Sequence, residues 1–189
     1  MTIADVLPTA IHRGDDALPF APIAPGVESK VAHVKLSDGL WVVRSRMQPG
    51  YRAQTHRHTG PVFGFTLSGQ WHYVESADDV NRSGSYLFEP SGSVHTLHVP
   101  DDAPEPADVW FAIWGANLNL AADGTVETVT DADAMLKAYL WSCRKHGLGD
   151  PPVIVEPWDG VSGTRRPPSD GYPTPCDRGR SGRAGCGMD

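Results

Sequence analysis

The stretches GYRAQTHRH, residues 50–58, and GSYLFEPSGSVH, residues 84–95, decide how this chain of 189 residues is interpreted. Alternate residues of a β-strand point to the same face, so His56 and His58 project together if the end of the first stretch is extended. On its own this pair is a weak sign of a metal site, because two ordinary surface or packed histidines give the same pattern.

The second stretch adds a third histidine. Its turn, residues 90–92, precedes a predicted strand on which His95 and His98 point to opposite faces. If the two stretches pair in space, the imidazoles of His56, His58 and His95 converge. Imidazole binds Fe, Zn, Cu and Ni well, and three such ligands leave positions open for chemistry.

Together the two stretches resemble the two motifs of the cupin superfamily. The first motif is a glycine, five residues, His-X-His and a later closing glycine, here Gly50, His56, His58 and Gly69. The second is a glycine, five residues, Pro-X-Gly, two residues and a histidine, here Gly84, Pro90, Gly92 and His95. The resemblance implies an all-β cupin barrel or jelly roll (double-stranded β-helix) with a metal held by the three histidines, which act in catalysis through it.

Two positions depart from the common cupin pattern. The first motif usually has a glutamate ligand seven residues before its closing glycine, and Val62 stands there. The second often has an asparagine four residues after its histidine, and Val99 stands there. The resemblance therefore implies a site of three neutral histidines, which keeps the full 2+ charge of the ion. It also places the apolar side chains of Val62 and Val99 where substrate could sit.

A cupin site of three histidines resembles that of non-haem iron dioxygenases that cleave carbon–carbon bonds. Residues 56–73, 84–90 and 93–97 look in particular like the dioxygenases acting on 2,4'-dihydroxyacetophenone. This resemblance implies Fe(II) as cofactor, O2 and a small aromatic ketone as substrates, and 4-hydroxybenzoate and formate as products of aromatic compound catabolism. A diketone dioxygenase, a Zn, Mn or Ni isomerase, and a non-enzymatic cupin sensor stay open as alternatives.

Several other residues carry expectations of their own. Glu75 and Glu89 stand at predicted strand ends, where we expect solvated carboxylates, although either could orient a histidine ligand. His98 is expected to lie at the surface or between sheets, and the face of His72 stays open. Aromatic side chains are expected to build the core: Trp41, Phe63, Phe65, Trp71, Trp110 and Trp114.

Composition excludes several classes of protein. A formal net charge of −7 does not favour nucleic-acid binding, the apolar runs are shorter than the ~20 residues of a membrane span, and residues 1–10 show no signal-peptide pattern. Three cysteines without a close pair favour a reducing compartment, so we expect a cytoplasmic protein. The Pro-rich residues 18–26 could wrap a second copy, and we expect a homodimer or homotetramer.

The remaining pattern predicts short strands separated by turns, as in an antiparallel sandwich or barrel. Strands are predicted at 30–36, 40–47, 61–67, 70–75, 85–88, 94–99, 109–114 and 125–129. One helix, 131–146, is predicted to start after a cap at Thr130, to stop at Gly147 and to cover the sheet. We divide the chain into an N-terminal arm, 1–29, a cupin barrel with its helix, 30–156, and a flexible Gly- and Pro-rich tail, 157–189, whose native origin is open.

Overall fold

The structure, a computed structural model, describes residues 10–156. The predicted tail at 157–189 lies outside the described residues, as do the first nine positions of the predicted arm. In the range 10–156, no helix has the length and apolar character needed to cross a bilayer.

Short strands make up just under half of this range. They are β1 (Ala21–Ala24), β2 (Val27–Lys35), β3 (Leu40–Met47), β4 (His56–His58), β5 (Val62–Ser68), β6 (Gln70–Tyr73), β7 (Ser76–Arg82), β8 (Tyr86–Glu89), β9 (Val94–His95), β10 (Leu97–His98), β11 (Ala107–Trp114), β12 (Asn117–Leu120), β13 (Val126–Thr130) and β14 (Ile154–Glu156). One α-helix, α1, spans Ala132–Lys145. The prediction of an all-β architecture with one covering helix is confirmed.

The strands form three sheets that surround a central cavity. The largest has the order β1-β2-β3-β11-β5-β8, with β14 beside β2, the second has the order β13-β12-β4-β9, and the third has the order β10-β6-β7. Every pairing is antiparallel except β14 with β2. Residues of all three sheets line the cavity, so side chains that are distant in sequence face one common space.

Burial differs among the aromatic residues that were predicted to build the core. Trp41 and Trp71 are in the core, as expected. Phe65 is instead 52% exposed, so the expectation that it builds the core is wrong. Along β5 the small and polar residues, Thr66 among them, point inward, and the aromatic residues point outward. Phe65 therefore lies on the outer face, where its ring packs against Tyr86 of β8.

The helix α1 packs across β1 and β2 and fixes the beginning of the described chain. Its N-cap is Asp131, whose side chain accepts a hydrogen bond from the Ala134 backbone N–H, so the predicted cap at Thr130 is wrong by one residue. The Tyr139 hydroxyl donates to the Pro19 carbonyl oxygen over 2.8 Å. The predicted arm boundary at residue 29 falls inside β2, so part of the arm belongs to the sheet.

Candidate metal centre

The two motif stretches are held against each other by backbone hydrogen bonds. Gly92 adopts a positive φ of 90°, which glycine tolerates best. Its N–H donates to the His58 carbonyl oxygen over 2.8 Å, and the His58 N–H donates to the Ser93 carbonyl oxygen over 3.1 Å. This reciprocal pairing sets the register of β4 and β9, in which His56 stands directly opposite His95.

The structure brings the three predicted histidines together. The ring centroids of His56 lie 4.8 Å from those of both His58 and His95, and the latter two are 5.1 Å apart. Their nearest ligand nitrogens all lie within 4.8 Å of one another. All three side chains are buried, so the cluster is a group of imidazoles facing inward.

A carboxylate lies against the three predicted histidines. Glu89 Oε2 lies 3.0 Å from His58 Nε2 and 3.1 Å from His95 Nε2. Glu89 is 4% exposed, so the expectation of a solvated strand end is wrong. The alternation of β8 explains this correction, because Tyr86 and Phe88 point outward and Glu89 points inward.

The donor atoms of this cluster fit one metal ion. His56 Nε2 lies 3.1 Å from His58 Nε2, and Glu89 Oε2 lies at similar distances from the Nε2 atoms of His58 and His95. Two ligand atoms about 2.1 Å from one ion would lie about 3.0 Å apart at a right angle. Glu89 Oε2 and His95 Nε2 are buried and make no hydrogen bond of good geometry within the described residues. Buried polar atoms are rarely left unsatisfied, and an ion between them would satisfy both.

The protonation of the cluster also suits a cation. The Nδ1 atom of His56 donates to the Gln54 carbonyl oxygen over 2.9 Å, which leaves the Nε2 lone pair facing the cluster. Burial lowers the pKa of His56 to about 4, so this imidazole is neutral at pH 7. Burial raises the pKa of Glu89, but its contacts with His58 and His95 outweigh this and hold the pKa below its usual range.

Tyr73 holds Glu89 and His95 in place. Its hydroxyl donates to Glu89 Oε1, which leaves Oε2 directed at the histidines. Its ring stacks on the His95 ring with centroids 4.0 Å apart and planes 19° apart. Burial, together with the negative charge of Glu89, raises the pKa of Tyr73, so the phenol keeps its proton and stays a donor.

Exposed Glu75 supports the site from outside. Its carboxylate accepts hydrogen bonds from the Thr96 backbone N–H over 2.9 Å and from the Thr96 hydroxyl over 2.8 Å. The same threonine oxygen lies 2.7 Å from the hydroxyl of Thr55, the residue before His56. These bonds tie the residues beside two cluster histidines to each other.

The cluster opens into a cavity of about 200 Å³. This volume is several times the ~30 Å³ share of one water and below the ~300 Å³ at which drug-sized sites begin, so the cavity suits a small molecule. Val62 lines it, and Val99 lies in a separate buried cluster with Trp71 and Leu97. The role of both valines in substrate contact stays a prediction.

The other predicted histidines are elsewhere. His72 and His98 are cross-strand partners in the third sheet, with ring centroids 5.3 Å apart. Two cavity residues were missed by sequence reasoning besides Glu89 and Tyr73. Asn117 stands opposite His58 with its Oδ1 buried and unpaired among the described residues, and Ser29 carries a buried hydroxyl. Only the strand register could have indicated them.

Comparison with solved structures supports the fold. A cupin-like protein of unknown function from Ralstonia eutropha JMP134 matches with a TM-score of 0.71 and 28% identity, over 78% of this chain and 96% of that one. An RmlC-like cupin from the same organism matches with a TM-score of 0.70 and 24% identity, over 81% and 98%. An acetylacetone dioxygenase from Acinetobacter johnsonii matches with a TM-score of 0.61 and 18% identity, over 72% and 93%.

Comparison with curated proteins found no match. Among known families, the one described as the ChrR cupin-like domain matches residues 9–105, about half of the chain, and this range contains all the residues of the histidine and glutamate cluster. The protein therefore belongs to the ChrR cupin-like domain family.

Proposed function

We propose that this protein is an Fe(II)-dependent dioxygenase that cleaves the carbon–carbon bond of an aryl α-hydroxyketone. In the proposed reaction 2,4'-dihydroxyacetophenone and O2 give 4-hydroxybenzoate and formate. The bond between the carbonyl carbon and the hydroxymethyl carbon breaks, and each product gains one oxygen atom, so all atoms balance. The observation that carries this proposal is the convergence of three imidazoles and one carboxylate on the wall of a small apolar cavity.

His56, His58, His95 and Glu89 are the residues that would hold the ion. A bound Fe(II) supplies Lewis acidity toward the carbonyl and hydroxyl oxygens of the ketone and the electrons that activate O2. Nitrogen and oxygen donors suit Fe(II), and they also suit Zn, Ni and Mn. The metal identity therefore rests on the resemblance described above, and metal analysis must test it.

The protein itself contributes orientation and the exclusion of water. Tyr73 keeps the Glu89 carboxylate in one orientation, and the Gln54 carbonyl oxygen does the same for the His56 ring. Val62 and Phe111 are among the apolar side chains that line the cavity. Apolar walls exclude water from the reacting groups, which strengthens electrostatic interactions inside the site. A ketone held there has few orientations available, which favours the reaction.

The nearest alternative in chemistry is cleavage of a diketone. The structure from Acinetobacter johnsonii bears the name of an acetylacetone dioxygenase, and a cavity of about 200 Å³ also suits so small a molecule. The two substrate classes differ in the bond that breaks and in the acids formed. Product analysis therefore separates them.

The test uses the full chain, freed of metal and reloaded anaerobically with Fe(II). We expect O2 uptake on addition of 2,4'-dihydroxyacetophenone, with formate and 4-hydroxybenzoate formed in equal amounts. Zn-loaded protein serves as the inactive control. O2 uptake with acetylacetone but not with 2,4'-dihydroxyacetophenone would favour the diketone alternative. Tight metal binding without O2 uptake with any ketone would favour an isomerase or a sensor.

A further inference from the structure

The cavity wall formed by the largest sheet carries an isolated polar pair. Alternate residues of β3 line the cavity, and Trp41, Val43 and Met47 among them are apolar. Ser45 interrupts this row and stands opposite Ser29 of β2. The two Oγ atoms lie 2.8 Å apart, and Ser29 is 2% exposed. A pair of hydroxyls is therefore placed in an otherwise apolar wall.

The hydrogen bonds of this pair are incomplete. Two hydroxyls that bond to each other use one proton and leave the second one free. Neither Ser29 nor Ser45 has another side-chain partner within residues 10–156. Hydroxyls in an apolar environment favour a partner, and the free proton and lone pairs of this pair are available to a molecule in the cavity.

The strand register places this pair away from the metal cluster. Trp41, Ile113, Val62 and Glu89 stand side by side across four neighbouring strands. Ser45 lies four residues along β3 from Trp41, which is about 13 Å at ~3.3 Å per residue. A molecule that touches both the cluster and the pair must therefore have a polar group at each end and an apolar part between them.

We infer that Ser29 and Ser45 form a polar subsite that binds a hydrogen-bonding group at the end of the ligand remote from the histidines. The ligand class is a small aromatic ketone with a hydroxyl on the far side of its ring. The contact of the ketone end of this ligand with the metal cluster rests on the proposed function. The subsite itself rests on the cavity and the hydroxyl pair.

The test compares two probes, 4-hydroxyacetophenone and acetophenone, which differ only in the ring hydroxyl. Both lack the second hydroxyl of the proposed substrate, and binding is measured by calorimetry on the Fe(II)-loaded full chain under nitrogen. We expect the hydroxylated probe to bind about five- to tenfold more tightly, as one hydrogen bond allows. The double variant Ser29→Ala, Ser45→Ala should reduce this ratio below about twofold and leave acetophenone binding unchanged.

Ser37→Ala is the matched control and should keep the ratio, because Ser37 is exposed and its side chain bonds only to its neighbour Asp38 among the described residues. Equal affinity of the wild type for the two probes, failure to bind either, or a ratio that survives in the double variant would each overturn the inference. Thermal unfolding of the double variant confirms that it is folded. The binding measurement involves no turnover, so a preference for 4-hydroxyacetophenone would still support the subsite if the proposed reaction failed. Conversely, turnover of 2,4'-dihydroxyacetophenone by a protein that binds the two probes equally would exclude the subsite and leave the proposed reaction intact.

Discussion

Glu89 stands directly opposite Val62 in the antiparallel pair of β5 and β8. Val62 occupies the position at which cupins usually carry a glutamate ligand. The carboxylate of this protein therefore comes from the second motif, one strand away, and it still reaches the cluster. The candidate site places one carboxylate beside three histidines, and the negative charge of Glu89 would offset part of the charge of a bound ion.

Because Glu89 and Val62 are cross-strand neighbours, we predict that a glutamate at position 62 can partly replace Glu89 as a metal ligand. Glu89→Val should lower metal affinity at least about tenfold, because one charged ligand is lost. The double variant Val62→Glu, Glu89→Val should recover part of that loss, since the two positions share one face of adjacent strands. Competition with a chelator measures both affinities. A double variant no better than Glu89→Val would show that the two positions are not interchangeable.

The histidines can be tested separately from activity. Single replacement of His56, His58 or His95 by alanine should reduce bound metal from about one ion per chain to a small fraction, because each histidine supplies one of the few protein ligands of the site. Elemental analysis of the purified protein gives the stoichiometry. His98→Ala is the control, since His98 lies in another sheet beside His72, and its metal content should stay at the wild-type value.

Tyr73→Phe tests the positioning of the carboxylate. The change keeps the ring stacked on His95 and removes the hydrogen bond to Glu89 Oε1. We expect metal affinity to fall less than in Glu89→Gln, because the ligand atom remains and only its orientation is freed. Calorimetric titration with Zn²⁺ measures this order. The reverse order would contradict the assignment of Tyr73 as a positioning residue.

Gly92 should matter for the site beyond its effect on stability. Alanine at its positive φ costs about 1–2 kcal/mol, and a shift of this turn would disturb the bonds to His58. Gly124 also has a positive φ and has no neighbour that a Cβ would meet. Gly92→Ala should therefore lose stability and bind less metal, whereas Gly124→Ala should lose similar stability in urea unfolding and keep its metal. Equal metal loss in both variants would show that the effect is general.

Asp108 predicts a loss of stability in acid. Burial raises the pKa of Asp108, but hydrogen bonds from Arg44 and Arg46 outweigh it and lower the pKa below the unfolded value. Its contribution is therefore complete above about pH 4 and is lost as the pH falls through the folded pKa. Urea unfolding should show Asp108→Asn less stable than the wild type at pH 7, with the difference shrinking toward pH 3. A difference independent of pH would exclude this linkage.

The histidine cluster could be predicted from the sequence, because glycine turns and the alternation of side chains along a strand are local properties. Gly92 fixes a turn, and His56 and His58 share a face by the geometry of any strand. Glu89 was missed because the outward residues of β8, Tyr86 and Phe88, are apolar. Alternation then suggests the opposite orientation for the strand. Only the pairing with β5 reveals that Glu89 points inward.

Other elements depend on their partners for the same reason. The strand β7 is almost wholly polar, and it is extended because β6 pairs with it through a hairpin. The strand β12 lies between β4 and β13, and both neighbours hold it in place. Ser29 and Ser45 look like ordinary surface residues along the chain. Their shared place in the cavity follows from the register of β2 with β3.

The cavity wall has a consequence for how the protein is made. Ile23 of β1 and Met135 of α1 both line the cavity, although one is translated early and the other late. A nascent chain that has emerged only as far as β10 already contains every residue of the cluster. The candidate ligand set is therefore complete in the nascent chain before β11, β12 and α1, which close the cavity, have been translated.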